Sequence, residues 1–392
     1  MKDIKRYITS TLLALFIAFA TIIPTHGQDK KVSEQKDSIL VSLLTCGPRP
    51  NVYSLYGHTA IRFQDITRGT DLAINYGMFS FGKPFFVLRF VFGLTDYEMG
   101  IEYFNDFVAH YAASGCGIRQ QTLNLSTEEK QAIAVAIDKN YQPHNRIYRY
   151  NYFYDNCTTR ARDIIFSNIN GKVIYNNEID NSRTFRQMIH EYNETHRWAR
   201  FGNDLLLGIK ADMPTTRSEQ QFLPEHLAND FAKAEIQKRH FENCSLVTAD
   251  TWILPRTRDV GSDSFPLSPF TCMLTIALIV VAVTVIEALS KANYWWFDLI
   301  LMLSTGLCGL IILAMVFSQH PTVSLNLQIL MLNPLSLFVM IPTIKSIRNG
   351  KRNWWIKTWC TCIFFFFIGG FFQDYAEGLT FVALSLLLRY GK

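Results

Sequence analysis

Residues 147–166 read IYRYNYFYDNCTTRARDIIF, and the composition changes halfway along this stretch. Residues 147–154 are rich in aromatic side chains, which favour a strand, whereas residues 158–166 have a helical pattern. Cys157 stands at the change, directly after two residues that can cap a helix. The sequence therefore predicts a strand-to-helix junction with a cysteine in the first turn of the helix.

The position of Cys157 suits a nucleophilic thiol. The first-turn N–H groups and the dipole of a helix favour the thiolate, and Asp155 or Asn156 is placed to cap the helix. A thiolate also needs a base, for which a neutral imidazole is the usual choice. His58 is the leading candidate because it begins a predicted strand just after Gly57, where a side chain can face a cleft. The residues alone also permit a buried packing cysteine and an ordinary strand-edge histidine.

Strand and helix patterns alternate along the soluble part of the chain. Three segments have the composition of strands, namely 39–45, 58–63 and 72–78. A polar turn separates the last two, so we expect them to form a hairpin. Ser126 and Glu129 have the spacing of a capping box, with apolar residues at helical spacing behind them, and 224–237 favours another helix.

The two ends of the chain predict export and membrane attachment. Residues 1–27 have basic residues, a short apolar run and a small-residue end, which predicts a signal peptide cleaved near Gly27; an uncleaved anchor helix is the alternative. Residues 270–392 contain apolar stretches that predict about five membrane helices, at 270–289, 294–317, 325–344, 354–372 and 379–388. The predicted domains are thus 1–27, 28–269 and 270–392.

The charges between the apolar stretches predict the topology. Lys291 and the basic cluster at 345–357 lie on one side, and the polar breaks at 318–321 and 374–377 lie on the other. By the positive-inside rule the basic breaks are cytoplasmic, which places residues 28–269 on the periplasmic side of the inner membrane. We attribute these basic residues to topology and expect no nucleic-acid partner.

Export changes the interpretation of the cysteines. An oxidising compartment permits disulfides, and Cys46 with Cys116 is a plausible pair if Cys157 stays free, with Cys244 left over. The remaining four cysteines lie in or beside apolar runs and are interpreted as packing residues.

Two segments carry a family resemblance, namely 53–62, YSLYGHTAIR, and 151–160, NYFYDNCTTR. They resemble the N-terminal extracytoplasmic domain of the bacterial lyso-form lipoprotein transacylase family. That family is similar to circularly permuted papain-like proteins, such as lecithin retinol acyltransferase, in which histidine precedes cysteine as His58 precedes Cys157 here. The resemblance covers residues 40–207 and implies an α+β fold, a circularly permuted papain-like domain with an antiparallel sheet, ahead of the multi-pass helical region.

The resemblance also implies roles for individual residues. Cys157 would form a thioester with an acyl group while His58 relays the proton. A third polar group would orient the imidazole, and Asn75 on the hairpin partner strand is the candidate, with Asp71 as a weaker alternative and a simple turn role for Asn75 left open. Asn156 could contribute to an oxyanion site, and Tyr53 and Arg62 could contact a polar headgroup.

Other features either exclude chemistries or stay open. No zinc-binding His-Glu-x-x-His, no Gly-x-Ser-x-Gly elbow and no phosphate-binding glycine loop occurs, so we expect no metal and no cofactor. The aromatic stretch 76–92 fits either ordinary core or a lipid-facing lip.

The resemblance implies a membrane-anchored thiol acyltransferase that acts on lipoprotein or phospholipid acyl esters, specifically by acylating a lipoprotein N-terminus. The same Cys-His pair could instead serve a cell-wall peptidase or a lipid hydrolase. A third hypothesis is a non-catalytic membrane scaffold, which predicts that Cys157 is buried or disulfide-bonded, away from His58.

Overall fold

The computed structural model describes residues 38–79, 82, 84–238, 242–257, 261–262, 265–351 and 353–391, and the predicted signal peptide lies outside them. The described strands are β1 Ile39–Cys46, β2 His58–Asp65, β3 Thr70–Met78, β4 Asp96–Tyr103, β5 Ile118–Leu123, β6 Ile147–Arg149, β7 Lys172–Tyr175, β8 Ala234–Gln237, β9 Cys244–Ser245 and β10 Val247–Leu254. They form a seven-stranded antiparallel sheet of order β10-β5-β1-β2-β3-β4-β6 and a small antiparallel sheet of order β7-β8-β9.

Fourteen α-helices lie in the described part of the chain. They are α1 Phe86–Val91, α2 Phe104–Ala113, α3 Thr127–Tyr141, α4 Cys157–Phe166, α5 Phe185–His190, α6 Arg197–Leu206, α7 Arg217–Gln220, α8 Pro224–Lys233, α9 Pro269–Ser290, α10 Trp295–Val316, α11 Leu335–Phe338, α12 Met340–Arg348, α13 Trp354–Gly369 and α14 Leu379–Tyr390. Short 3-10 helices occur at Val52–Ser54, Ile209–Asp212 and Leu327–Leu330.

The large sheet is packed on both faces. The packing on one face positions α4, the helix that begins with Cys157. One face carries a core that contains Ile61, Ile74 and Tyr76 together with residues of α3, α4 and α8. The other face packs Ala60 and Ala73 against α2 through a second cluster. The α+β class and the antiparallel sheet predicted from the sequence are therefore confirmed.

The hairpin and the capped helix also follow the sequence closely. Strands β2 and β3 pair antiparallel, with Ala60 opposite Asn75 and Asp65 opposite Thr70. At α3 the Ser126 hydroxyl accepts from the Glu129 N–H, and the Glu129 carboxylate accepts from the Ser126 N–H at 2.7 Å. This reciprocal capping box satisfies two main-chain donors that a helix start would otherwise leave unpaired.

Two predicted elements are shorter than expected. The strand predicted at 147–154 ends at Arg149, because main-chain hydrogen bonds in both directions between Asn151 and Asp155 close a tight loop there. The aromatic side chains of 152–154 pack instead against Phe185 and Phe222. The helix predicted at 224–237 ends at Lys233, and the chain continues as β8, whose alternate residues are buried against β7.

The C-terminal helical part contains two or three of the five predicted crossings as candidate membrane spans. Helices α9 and α10 have 22 residues each, or about 33 Å, which exceeds the roughly 30 Å of a bilayer core. The third predicted crossing is broken, because 327–338 and Met340–Arg348 meet at 83°. Helices α13 and α14 have 16 and 12 residues, shorter than a full span. The number five therefore stays a prediction.

A buried arginine organises the segment of the N-terminal domain that contacts the helical part. The guanidinium of Arg186, 1 % exposed, donates to the carboxylates of Asp204 at 2.8 Å and Asp212 at 2.6 Å. Two amides from the helical part bind the same segment, since Gln328 donates to the Asp204 carbonyl at 2.9 Å and Gln373 donates to the Leu207 carbonyl at 3.0 Å. We define the Arg186 clamp as Arg186, Asp204, Leu207, Asp212, Gln328 and Gln373; its two glutamine amides fix the N-terminal domain against the helical part.

Removing the Arg186 cation tests how much the clamp contributes to the stability of the protein. We expect Arg186→Leu to lower the stability of the full chain by about 3–5 kcal/mol, because it removes the cation that the buried carboxylates of Asp204 and Asp212 share. The measurement is thermal unfolding in detergent. Arg68→Leu is the control, since Arg68 is 58 % exposed in its pair with Asp65 and such surface pairs contribute at most about 1 kcal/mol. Equal losses in the two variants would contradict a structural role for the clamp.

Candidate active site

Helix α4 presents Cys157 as its first residue, and Asn156 caps it. The Asn156 side-chain oxygen accepts from the N–H groups of Thr158 at 2.9 Å and Thr159 at 3.0 Å. The capping position predicted for Asp155 or Asn156 is thus taken by Asn156, while Asp155 forms a bidentate ion pair with Arg160. Cys157 is half-buried and its thiol is free.

The predicted oxyanion role of Asn156 does not fit this geometry. Its side chain is 4 % exposed, and its amide nitrogen donates to the carbonyls of Tyr152 at 2.8 Å and Phe222 at 2.9 Å. Both amide hydrogens and the amide oxygen are therefore committed within the protein. Asn156 holds the start of α4 in place and has no donor left for a substrate.

His58 stands beside Cys157 at the start of β2. Gly57 before it has φ +76°, and a Cβ there would lie 2.7 Å from the Cys46 carbonyl oxygen, so only glycine fits. The Nε2 atom of His58 is 2.6 Å from the Asn75 amide oxygen. This leaves Nδ1 for the hydrogen bond between the imidazole and the Cys157 thiol. The structure thus brings Cys157, His58 and Asn75 together in one hydrogen-bonded chain.

Glu102 is a further member of this hydrogen-bonded series, and the sequence did not point to it. The Asn75 amide nitrogen donates to the Glu102 carboxylate at 3.4 Å from the neighbouring strand β4. With its nitrogen held by an acceptor, the amide of Asn75 keeps its oxygen turned toward His58. Only the pairing of β3 with β4 reveals this contact, because nothing in the local sequence around Glu102 marks it.

The alternative third residue, Asp71, lies elsewhere. Its carboxylate forms a bidentate pair with Arg62 at 2.8 and 2.6 Å, four residues before Asn75 on β3. The Arg62 guanidinium is 13 % exposed and lies 3.6 Å from the centre of the Phe104 ring. Arg62 and Asp71 are therefore a structural pair inside the fold, and the predicted headgroup contact of Arg62 lacks an exposed cation.

A nearby charge distinguishes the Cys157 thiol from the buried thiols of Cys46 and Cys116. Burial on its own would raise the pKa of Cys157, but the charge and hydrogen bond of His58, helped by the Thr59 N–H and the Thr158 hydroxyl, lower it to about 7. Burial likewise works against the charged form of His58, and the thiolate with its hydrogen bonds raises the imidazole pKa. These opposite shifts favour a thiolate–imidazolium pair near neutral pH.

The predicted disulfide between Cys46 and Cys116 is not formed. Both are buried free thiols in the cluster against α2, and the Cys116 thiol donates to the Pro48 carbonyl at 3.2 Å. Burial raises the pKa of Cys46, which makes its thiol unreactive. Cys244 is also free and half-buried.

Gly77 packs against the Cys157–His58 pair without a side chain of its own. Gly77 has φ +101°, and a Cβ there would lie 3.7 Å from Cys157 Cβ and 3.8 Å from His58 Cε1. The same Cβ would lie 3.9 Å from Cδ2 of the Tyr97 ring. Tyr53, predicted to contact substrate, is 60 % exposed and meets the edge of the Phe79 ring at 5.7 Å. Within the described residues no group of three His, Cys, Asp or Glu side chains could hold a metal ion.

Two family models match the chain. Residues 30–192 match the family model described as the Lnb N-terminal periplasmic domain, and residues 261–392 match the one described as the Lnb transmembrane domain. No curated protein and no solved structure matches the chain. The chain is a membrane protein with a periplasmic N-terminal domain and a transmembrane domain.

The pH dependence of alkylation tests the ion pair. Because the thiolate is the nucleophile, the rate at which iodoacetamide modifies Cys157 should rise with pH around a midpoint of about 7. In His58→Gln the charge is lost and burial remains, so the midpoint should move upward and the rate at neutral pH should fall at least about tenfold. Intact-mass kinetics measure both, with Cys157→Ala identifying the site. An unchanged midpoint in His58→Gln would refute the pairing.

A pair of glycine variants tests the close packing of Gly77 against Cys157 and His58. Gly77→Ala and Gly69→Ala place an alanine at φ +101° and +66°, and each should cost about 1–3 kcal/mol of backbone strain. A Cβ at Gly69 meets nothing within 4 Å, so only Gly77→Ala should also slow modification of Cys157. Unfolding and alkylation rates measured on both proteins separate strain from crowding. Equal slowing of Cys157 modification in the two variants would show that the packing at Gly77 does not control access to the thiol.

Proposed function

The chain belongs to the Lnb N-terminal periplasmic domain and Lnb transmembrane domain families, and we propose that it is a thiol acyltransferase that acylates lipoprotein N-termini at the periplasmic membrane surface. The family implies a role in lipoprotein N-acylation. The observation that carries the finer proposal is the hydrogen-bonded chain from Cys157 through His58 to Asn75, with a lowered thiol pKa at its head.

In the first half of the proposed reaction, the Cys157 thiolate attacks the carbonyl carbon of a glyceryl ester. The C–S bond forms, the C–O bond breaks, and His58 gives its proton to the departing glyceryl oxygen. The acyl group is then held on Cys157 as a thioester. Asn75 keeps Nε2 engaged, so that Nδ1 is the nitrogen that exchanges the proton.

In the second half, the N-terminal amine of the lipoprotein attacks the thioester. The C–N bond forms, the C–S bond breaks, and His58 takes up the proton that the amine loses. The thiolate–imidazolium pair is restored. No redox partner or cofactor enters this balance.

Charge that develops on the carbonyl oxygen would meet the N-terminus of α4. The Asn156 side-chain oxygen accepts hydrogen bonds from the N–H groups of Thr158 and Thr159. We therefore assign the main-chain N–H of Cys157 as the first-turn donor to the oxyanion. The helix dipole points its positive end at the same place. This replaces the side chain of Asn156 as the proposed oxyanion group.

The helical part supports a substrate drawn from the bilayer. The Arg186 clamp holds the N-terminal domain against helices with candidate membrane spans, so the thiol is kept near the membrane and a lipid-modified peptide need not leave it fully. The free thiol and its hydrogen bond to His58 speak against the scaffold hypothesis, which requires them apart.

An acyl-transfer assay tests the proposal. Full-length enzyme in proteoliposomes is given a diacylglyceryl lipopeptide with a free amine, and the acyl-enzyme, amide product and free fatty acid are measured by mass. We expect Cys157→Ser to abolish the thioester and the amide, and His58→Gln to lower the rate at least about 100-fold. Cys244→Ser, the matched control at another half-buried thiol, should act as wild type.

The same assay decides the third residue and the reaction class. Asn75→Ala should reduce turnover, whereas Asp71→Ala should not alter the pH profile of the rate, because Asp71 pairs with Arg62. Free fatty acid without amide would make the protein a hydrolase, and amide formation by Cys157→Ser would refute the thiol mechanism.

A further inference from the structure

An apolar element stands beside the candidate site, and we name residues 84–94 the aromatic lip. It contains α1, and its large apolar side chains point outward: Phe85 is 78 % exposed, Leu88 55 %, Phe90 38 % and Leu94 38 %. Phe85 also has φ +55°, a left-handed conformation that is costly for a bulky residue. Such a cluster of exposed apolar side chains marks an interaction surface.

The lip is fixed to the periplasmic end of a candidate membrane span. Gln319, three residues after α10, donates its main-chain N–H to the Phe92 carbonyl at 3.0 Å. His320 contacts the Phe90 carbonyl through Nε2 at 3.2 Å. Phe317, at the end of α10, is 73 % exposed. The apolar surface of the span therefore continues onto the lip, at the level where the chain leaves the membrane.

A wall of stacked rings connects the lip to the thiol. Phe90 stacks with Phe86 at 6.4 Å, Phe86 with Phe79 at 5.6 Å, and Phe79 with Tyr97 at 4.8 Å between ring centroids. The Tyr97 ring lies next to Gly77, which packs beside Cys157. The wall is apolar along its length, as an alkyl chain requires, and it begins at the membrane and ends at the nucleophile.

We propose that Phe85 and Leu88 of the aromatic lip insert into the outer leaflet of the inner membrane, and that the wall Phe90–Phe86–Phe79–Tyr97 guides a lipid acyl chain from the leaflet to Cys157. This inference rests on the proposed acyl transfer and adds the route by which the acyl donor arrives. Among possible occupants, the continuity with α10 selects lipid, because a peptide partner would not require the surface to meet the span.

Photo-crosslinking tests insertion without relying on catalysis. The full chain with p-benzoylphenylalanine in place of Phe85 is irradiated in proteoliposomes of phosphatidylethanolamine and phosphatidylglycerol. The control carries it in place of Ile66, which is 64 % exposed in the β2–β3 turn at the far end of the hairpin. Lipid adducts at position 85 and none at 66 are expected. Equal adduct yields, or none at 85, would overturn insertion whatever the enzyme does.

Probe selectivity tests the route. Acylation of Cys157 is followed by intact mass with a palmitoyl p-nitrophenyl ester in the vesicles and an acetyl ester in solution. In Phe85→Ser and Phe86→Ser the palmitoyl-to-acetyl rate ratio should fall about tenfold, because the first removes an apolar anchor in the leaflet and the second removes a ring of the wall. In Ile66→Ser the ratio should stay at the wild-type value. An unchanged ratio in both lip variants would overturn the route, whereas loss of both acylations in wild type would instead refute the proposed function.

Discussion

The register between β2 and β3 is the constraint on which the site depends. With Ala60 opposite Asn75, the side chains of His58 and Asn75 share one face and lie within a hydrogen bond of each other. A slip of one residue would move Asn75 to the opposite face of the sheet, because side chains alternate along a strand. Strand β2 also holds the helix that carries the nucleophile, since the buried hydroxyls of Thr59 and Thr158 are 3.1 Å apart.

The position of Cys157 beside His58 explains why this thiol, and not that of Cys46, is suited to be a nucleophile. Cys46 lies opposite His58 in the β1–β2 pairing, yet its thiol faces the Tyr111 hydroxyl in an apolar cluster, and burial raises its pKa. Cys157 is half-buried, and the charge and hydrogen bond of His58 lower its pKa to about 7. A favourable charge at hydrogen-bond distance outweighs desolvation, and this balance separates a nucleophile from a packing residue.

Two separate contacts hold the N-terminal domain against the membrane helices. The Arg186 clamp binds α6 and the following 3-10 turn to Gln328 and Gln373, and the aromatic lip meets the residues after α10. Because there are two separate attachments, they restrict the rotation of the N-terminal domain relative to the helices as well as its distance from them. The start of the third predicted crossing forms part of the first contact, because its polar residues Asn326 and Gln328 donate to main-chain carbonyls of the N-terminal domain.

The sequence alone determined the features that arise from short-range patterns. The β2–β3 hairpin, the capped start of α3, the cysteine in the first turn of α4 and the long apolar helices α9 and α10 all follow from residues within a few positions of one another. The segments 53–62 and 151–160, through their resemblance to a known family, also indicated the domain that the family model matches.

Tertiary structure decided which of the candidate residues meet. The choice of Asn75 over Asp71, the contact with Glu102, the commitment of Asn156 to capping and the free thiols of Cys46 and Cys116 depend on strand register and on packing between distant segments. Local propensity does not encode these, because a side chain's hydrogen-bond partner and its exposure are set by residues that only the folded chain brings within a few ångströms.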